Sequence, residues 1–139
     1  QNFLNHYQDE HYSDAEKLAI SITEQFPEHP FGWKALGAVL KQTNRISETL
    51  VSSQKVVEIT PQDAEAHNNL GGVLQELGRL DEALANYNQA ILYNKHFRPA
   101  ITGLGKLFFK KGMHKEGLNM MRIGDGSIYF DINNGFSIK

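Results

Sequence analysis

The chain has 139 residues, a length typical of one compact domain. Its hydrophobic share of 40% and charged share of 22% are close to those of soluble globular proteins, and a net charge of −2 gives no general attraction to nucleic acid or to an anionic membrane surface. The absence of cysteine excludes disulfides and thiolate metal sites and fits a reducing compartment, so we expect a cytoplasmic location.

The sequence shows neither an N-terminal targeting signal nor a membrane span. The first residues, Gln1 to Leu4, resemble neither an initiator methionine nor a signal peptide. No apolar run approaches the ~20 residues that a helix needs to cross a bilayer. We interpret the chain as a fragment of a longer protein that does not bind a membrane.

A 34-residue repeat runs along most of the sequence. A bulky residue, a Leu-Gly pair and a second bulky residue recur at this spacing. The three occurrences are Trp33, Leu36, Gly37 and Leu40; His67, Leu70, Gly71 and Leu74; and Ile101, Leu104, Gly105 and Phe108. Turn, acidic and small-residue positions follow at the same spacing. They are Asn44, Gly78 and Gly112; Asp14, Glu48, Glu82 and Glu116; and Ala15, Thr49, Ala83 and Gly117.

The residue pattern predicts a pair of helices in each repeat. In chain order we expect helices over residues 3–10 and 13–26, 30–43 and 46–59, 64–77 and 80–93, and 98–111 and 114–122. Pro61 closes the helix before it, and Gly78 can adopt the positive φ that ends a helix. Gly71 and Ala83 are small where two helices would cross. Neither helix of a pair buries its apolar stripe alone, so neighbouring pairs must stack.

The last residues follow a different pattern. The segment 124–126, Gly-Asp-Gly, is expected to break the last helix. Residues 127–132 alternate like a strand, Asn133-Asn134-Gly135 is a strong hairpin turn signal, and residues 136–138 are the returning strand. We therefore divide the chain into a helical array over 1–123, with hairpins at about 1–29, 30–63, 64–97 and 98–123, and a tail over 124–139 that is a candidate junction to a further domain.

This repeat resembles the tetratricopeptide repeat (TPR) family. The best match is residues 64–97, through His67, Leu70-Gly71, Leu74, Gly78, Ala83, Tyr87 and Ala90, although Lys95 replaces the closing proline. The resemblance implies an all-α, right-handed solenoid that ends here in a short β-hairpin or extended tail. It also implies a protein-interaction scaffold that binds a peptide or protein in a concave groove lined by the first helix of each pair. From the charge and the missing motifs we expect no nucleic-acid partner, no cofactor and no catalysis.

The resemblance places particular side chains in that groove. Our candidate partner-binding residues are Lys34, Lys41, Asn68, Asn69, Gln75, Lys106 and Lys110. Phe31, Ala38, Gln42, Glu65, Gly72, Glu76, Thr102 and Phe109 are expected on the same faces. The lysines would favour an acidic ligand, and the alternative is that they only increase solubility.

Two peptide-binding modes of the family match only in part. An asparagine ladder, as in the O-linked N-acetylglucosamine transferase, needs an amide before each Leu-Gly pair. Asn69 fits, but the neighbouring repeats have Ala35 and Gly103. The carboxylate clamp of chaperone-binding arrays matches through Lys34 and Asn69. It fails at its three other positions, which are Ala38, Pro99 and Gly103.

The sequence contains no catalytic or metal-binding motif. The six histidines have no His-Glu-x-x-His spacing, and His67 occupies the aromatic position of its repeat, where packing is the favoured role. Two alternatives to a free-standing scaffold stay open. One is a regulatory or substrate-recruiting segment of a larger enzyme such as an oxygenase, glycosyltransferase or sulfotransferase. The other is homo-oligomerisation through the array ends or the C-terminal hairpin.

Overall fold

The computed structural model describes residues 11–124, 128–131 and 135–138, and they form seven helices and two strands. The helix expected over residues 3–10 lies outside the described residues. The helices are α1 (Tyr12–Gln25), α2 (Pro30–Gln42), α3 (Ile46–Ile59), α4 (Ala64–Glu76), α5 (Leu80–Tyr93), α6 (Arg98–Lys110) and α7 (His114–Gly124). The chain divides into two compact units, Gln1–Pro61 and Gln62–Lys139, which are described separately.

The first unit contains α1, α2 and α3, in which α2 packs against both of the others. Its core is made of small and medium side chains, which are Ala15, Ala19, Ala35, Val39, Leu40 and Val56. Arg45, at the start of α3, joins two helices. Its guanidinium donates to both carboxylate oxygens of Glu16 on α1 at 2.8 Å, and also to Glu48 in the first turn of α3.

The second unit contains two helical hairpins, α4–α5 and α6–α7, with further contacts of α6 to both α4 and α5. Its buried apolar residues lie at helical spacing on every helix from α4 to α6. They are Ala66, Leu70, Val73, Leu74, Ala83, Tyr87, Ala90, Ile91, Ala100, Ile101, Leu104 and Leu107. The start of α4 is capped by Asp63, whose side chain accepts from the backbone N–H of Glu65 at 3.0 Å.

The turn position of the repeat has the same backbone conformation in three places. Asn44, Gly78 and Gly112 have φ of 60°, 77° and 78°, and each follows the first helix of a hairpin. The left-handed conformation lets the chain reverse directly into the second helix. The prediction that Gly78 ends its helix with positive φ is confirmed.

The two C-terminal strands, β1 (Ile128–Asp131) and β2 (Gly135–Ile138), pair antiparallel with Ile128 opposite Ile138 and Phe130 opposite Phe136. Strand β1 also contacts α7. Ser127, Ile132, Asn133 and Asn134 of the predicted hairpin lie outside the described residues. Helix α7 ends at Gly124, two residues later than expected. None of the described helices combines the length and apolarity that a membrane span needs.

Candidate functional site

The ring of Tyr87, from α5, lies at the junction of α4 and α6. Its side chain is almost fully buried. A Cβ added at Gly71 of α4 would stand 2.9 Å from Cδ1 of this ring, and one at Gly103 of α6 would stand 2.6 Å from Cε1. Both distances are shorter than real Cβ contacts, so the ring fits only because both positions are glycine. Tyr87 thus joins the first helices of two successive hairpins.

The hydroxyl group of Tyr87 forms a hydrogen bond with a polar side chain on α4. It donates to Oε1 of Gln75 at 2.9 Å. Burial raises the pKa of Tyr87, and the nearby Glu76 carboxylate raises it further. The phenol therefore keeps its proton at neutral pH and remains a donor. Gln75 itself is only half-buried, so its amide links the interior to the surface of α4.

The predicted site residues of the second unit lie on solvent-accessible faces of α4 and α6. Asn69, Lys106 and Lys110 are exposed, whereas Asn68 and Gln75 are half-buried. Their neighbours in the two Leu-Gly pairs are buried, so each helix has a polar face opposite its apolar one. No described residue forms an ion pair with Lys106 or Lys110, so their positive charge is available to a ligand.

This accessible surface of α4 and α6 is called the α4/α6 face below. It comprises Asn68, Asn69, Gly72, Gln75, Lys106 and Lys110. A Cβ at Gly72 would lie 3.9 Å from the Tyr87 hydroxyl, so the backbone of α4 is bare where the phenol comes closest to the surface.

The other two predicted site residues, Lys34 and Lys41, are on α2 in the first unit. Both are exposed, as is Phe31 on the same helix. Among the described residues of the first unit, 11–61, the repeat position of Tyr87 carries no aromatic ring. Ser53 occupies the equivalent position of its repeat, and Gly37 faces the Cβ of Ser52, to which an added Cβ would come within 3.5 Å.

Within residues 11–124, 128–131 and 135–138, no group of three or more His, Asp or Glu side chains is arranged so that it could hold a metal ion. His67, for which we predicted packing, is buried. Its Nδ1 lies 3.3 Å from Oδ1 of Asn86, and its ring stacks on Tyr93 with centroids 5.6 Å apart.

The sequence identifies Tyr87 only as one position of the match to the TPR pattern and does not predict its hydrogen bond to Gln75. The signal was nevertheless present. Glycines stand at positions 72 of α4 and 103 of α6, where they leave space between the two helices. Tyr87, on the intervening helix α5, is an aromatic residue that can fill this space and that also carries a hydroxyl group.

Comparisons with known proteins agree with the repeat assignment. Residues 64–97 match the tetratricopeptide repeat family. No curated protein sequence matches the chain. Among solved structures, MamA from Desulfovibrio magneticus RS-1 (residues 41 to the end) superposes with a TM-score of 0.79 and 20% identity, covering 88% of this chain and 70% of that one. YrrB, described as a TPR protein with an unusual peptide-binding site, gives a TM-score of 0.77 and 24% identity, covering 86% of this chain and 61% of YrrB.

The resemblance stated from the sequence is therefore confirmed. Residues 64–97 form a tetratricopeptide repeat, and the chain has the all-α fold of TPR proteins. At these identities the structural likeness establishes the fold alone.

Proposed function

We propose that this chain is a protein-interaction scaffold that binds a peptide, or an extended segment of a protein partner, on the α4/α6 face. The observation that carries the proposal is the exposed charge of Lys106 and Lys110, which form no ion pair with the residues that the structure describes, on a helix that contacts α4 with its amides of Asn69 and Gln75. Amides both donate and accept hydrogen bonds, and ammonium groups attract carboxylates. The face is thus suited to a peptide that carries acidic side chains.

The fold supports the same proposal. The matching repeat over residues 64–97 contributes both α4 and α5, and YrrB, which shares this fold, is described as having a peptide-binding site. Lys34 and Lys41 on α2 are proposed as a separate contact region of the same kind, because both are exposed basic side chains on a first helix.

A selection experiment tests the proposal. A random 12-residue peptide library displayed on phage would be selected on the intact chain, and the enriched peptides would be synthesised and titrated. We expect Asp and Glu to be enriched. The double variant Lys106→Glu/Lys110→Glu should weaken binding by at least about tenfold, as expected when close charge pairs across an interface become repulsive.

The matched control is Lys95→Glu/Lys115→Glu, which makes the same change of charge at exposed lysines outside the α4/α6 face. It should bind within about twofold of the unchanged chain, because surface charges distant from the ligand are screened. Equal losses in both double variants, or a library that yields no specific peptide, would contradict the proposed function.

A further inference from the structure

The Gln75 carboxamide has one of its two ends fixed by the protein. Its Oε1 accepts the Tyr87 hydroxyl, so the Nε2 amino group is turned away from the phenol. In the described part of the chain this amino group donates to no protein atom. A free glutamine side chain can exchange its two ends by rotation, and this one is held with its donors outward. A ligand at Gln75 must therefore supply an acceptor.

The surface beside Gln75 is bare backbone. Gly72, one turn earlier on α4, has no side chain, and a Cβ placed there would meet nothing closer than the Tyr87 hydroxyl at 3.9 Å, whereas at Gly103 on α6 the Tyr87 ring fills the place of a side chain. A ligand can therefore bring its main chain close to α4 at Gly72. Main-chain carbonyl groups are the acceptors that any peptide offers there.

The conformation of the ligand follows from these two features. In a helical peptide the carbonyl groups already accept from their own N–H groups four residues along. In an extended peptide they project sideways and are free. A fixed donor over a bare surface thus favours an extended segment. Lys106 and Lys110 on the adjoining helix, which form no ion pair within the described part of the chain, favour acidic side chains along it.

We propose that Gln75 binds the main chain of an extended acidic peptide by donating a hydrogen bond from Nε2 to a carbonyl group of the ligand. Tyr87 is the positioning residue that orients Gln75 for this contact. The proposal rests on the proposed function, since it specifies how the α4/α6 face selects its partner. Tyr87 does not touch the ligand. Its effect on binding passes through Gln75.

The test is a double-mutant cycle with the peptides from the library selection. Gln75→Leu should weaken binding about 3- to 10-fold, the effect of one lost hydrogen bond. Tyr87→Phe keeps the ring against both glycines and should weaken binding by a smaller factor in the same direction. The double variant should bind no worse than Gln75→Leu alone, because Tyr87 acts only through Gln75.

Two matched controls separate this role from a structural one. Tyr93→Phe removes the hydroxyl of a partly exposed tyrosine on α5, and Gln89→Leu removes an exposed amide on the same helix. Both should leave affinity within about twofold. The thermal midpoint of each binding variant is measured in parallel. The loss of affinity should be larger than the loss that follows from the fraction of the variant that is unfolded at the assay temperature.

Two peptide series test the mode of contact. Introducing α-aminoisobutyric acid, which enforces helix, should abolish binding of the selected peptide. In an alanine scan of the selected peptide, each substituted peptide is titrated against the unchanged chain and against Gln75→Leu. The ratio of the two affinities should be the same for every peptide, as expected when Gln75 contacts the peptide main chain.

Three results would overturn the inference. They are an unchanged affinity for Gln75→Leu, tighter binding of the helix-enforced peptide, and a single peptide side chain whose removal cancels the Gln75→Leu effect. If Lys106→Glu/Lys110→Glu still weakens binding in any of these cases, the proposed function stands and only the contact at Gln75 is wrong.

Discussion

The Tyr87 ring occupies the place that a side chain at position 103 would need. A Cβ on Gly103 would stand 2.6 Å from Cε1 and 2.7 Å from Cζ of that ring. The ring cannot simply move away, because Gly71 confines it from the side of α4. The contact between α4 and α6 in the second unit thus depends on one aromatic side chain and two glycines.

The first prediction concerns Gly103→Ala. Alanine is the better helix former by about 1 kcal/mol, but here its methyl group collides with the ring, and overpacking of this kind costs about 1–3 kcal/mol. We expect a net loss in the free energy of unfolding, measured by urea denaturation. Gly72→Ala on α4 is the matched control, because its Cβ would meet nothing closer than 3.9 Å. That variant should be neutral or stabilised, and a stabilised Gly103→Ala would contradict the packing described here.

The second prediction concerns the turn position of the repeat. Asn44 has a φ of 60°, and Gly78 one of 77°. The left-handed conformation costs a residue other than glycine about 1–2 kcal/mol of conformational free energy, and the cost for asparagine is smaller than for most residues. Gly78→Ala should therefore lower the free energy of unfolding by about 1 kcal/mol, whereas Asn44→Gly should be neutral or stabilising. Thermal unfolding of both variants checks this, and a Gly78→Ala variant as stable as the parent would be inconsistent with the left-handed turn.

The 34-residue spacing was sufficient to predict the hairpins because it reports directly on which helix faces must be buried. It predicted the buried Leu70-Gly71 and Leu104-Gly105 pairs and the turn at Gly78, which are where they were expected, whereas Leu36 and Gly37 are only half-buried. The spacing also contains a buried position that we did not use. Val39, Val73 and Leu107 are 34 residues apart, and all three are buried, whereas Phe108, which we grouped with Leu40 and Leu74, is only half-buried.

The site was less predictable, for a physical reason. Periodicity identifies the face of a helix but not which side chains on neighbouring helices touch. The repeat pattern identifies Tyr87 only as a position of the TPR match, and only the three-dimensional arrangement shows its hydroxyl reaching Gln75, 12 residues earlier in the chain. The predicted binding residues remain a proposal, because exposure shows that they are accessible and not that they are used.

The third prediction compares two leucines. The side chain of Leu107 on α6 is fully buried, whereas Leu92 near the end of α5 is 63% exposed. Leu107→Ala leaves a cavity and should reduce the free energy of unfolding by about 2–5 kcal/mol. Leu92→Ala should change it by no more than about 0.5 kcal/mol. Chemical denaturation of the two variants measures the difference, and similar losses would show that α6 does not pack as described.

The last prediction concerns the ion pairs of Arg45, which donates to Glu16 of α1 and to Glu48 of its own helix. The Arg45 guanidinium lowers the pKa of Glu48 below its ordinary value of 4.5. A carboxyl group with a lowered pKa in the folded state contributes stability at pH values above its unfolded pKa, and this contribution is lost as the pH falls through the folded value. The stability difference between the parent chain and Arg45→Met should therefore be largest near neutral pH.

The measurement is the urea midpoint of both proteins between about pH 7 and pH 3, with the difference taken at each pH so that other titrations cancel. The difference should shrink as the pH falls below about 4 and should also shrink with added salt, because Glu48 is exposed and Arg45 and Glu16 remain in part accessible to solvent. Lys55→Met is the control, since the Lys55–Glu58 pair joins adjacent turns of α3 only. That variant should lie close to the parent throughout. A difference for Arg45→Met that does not change with pH would show that Arg45 stabilises the first unit by packing and not by charge.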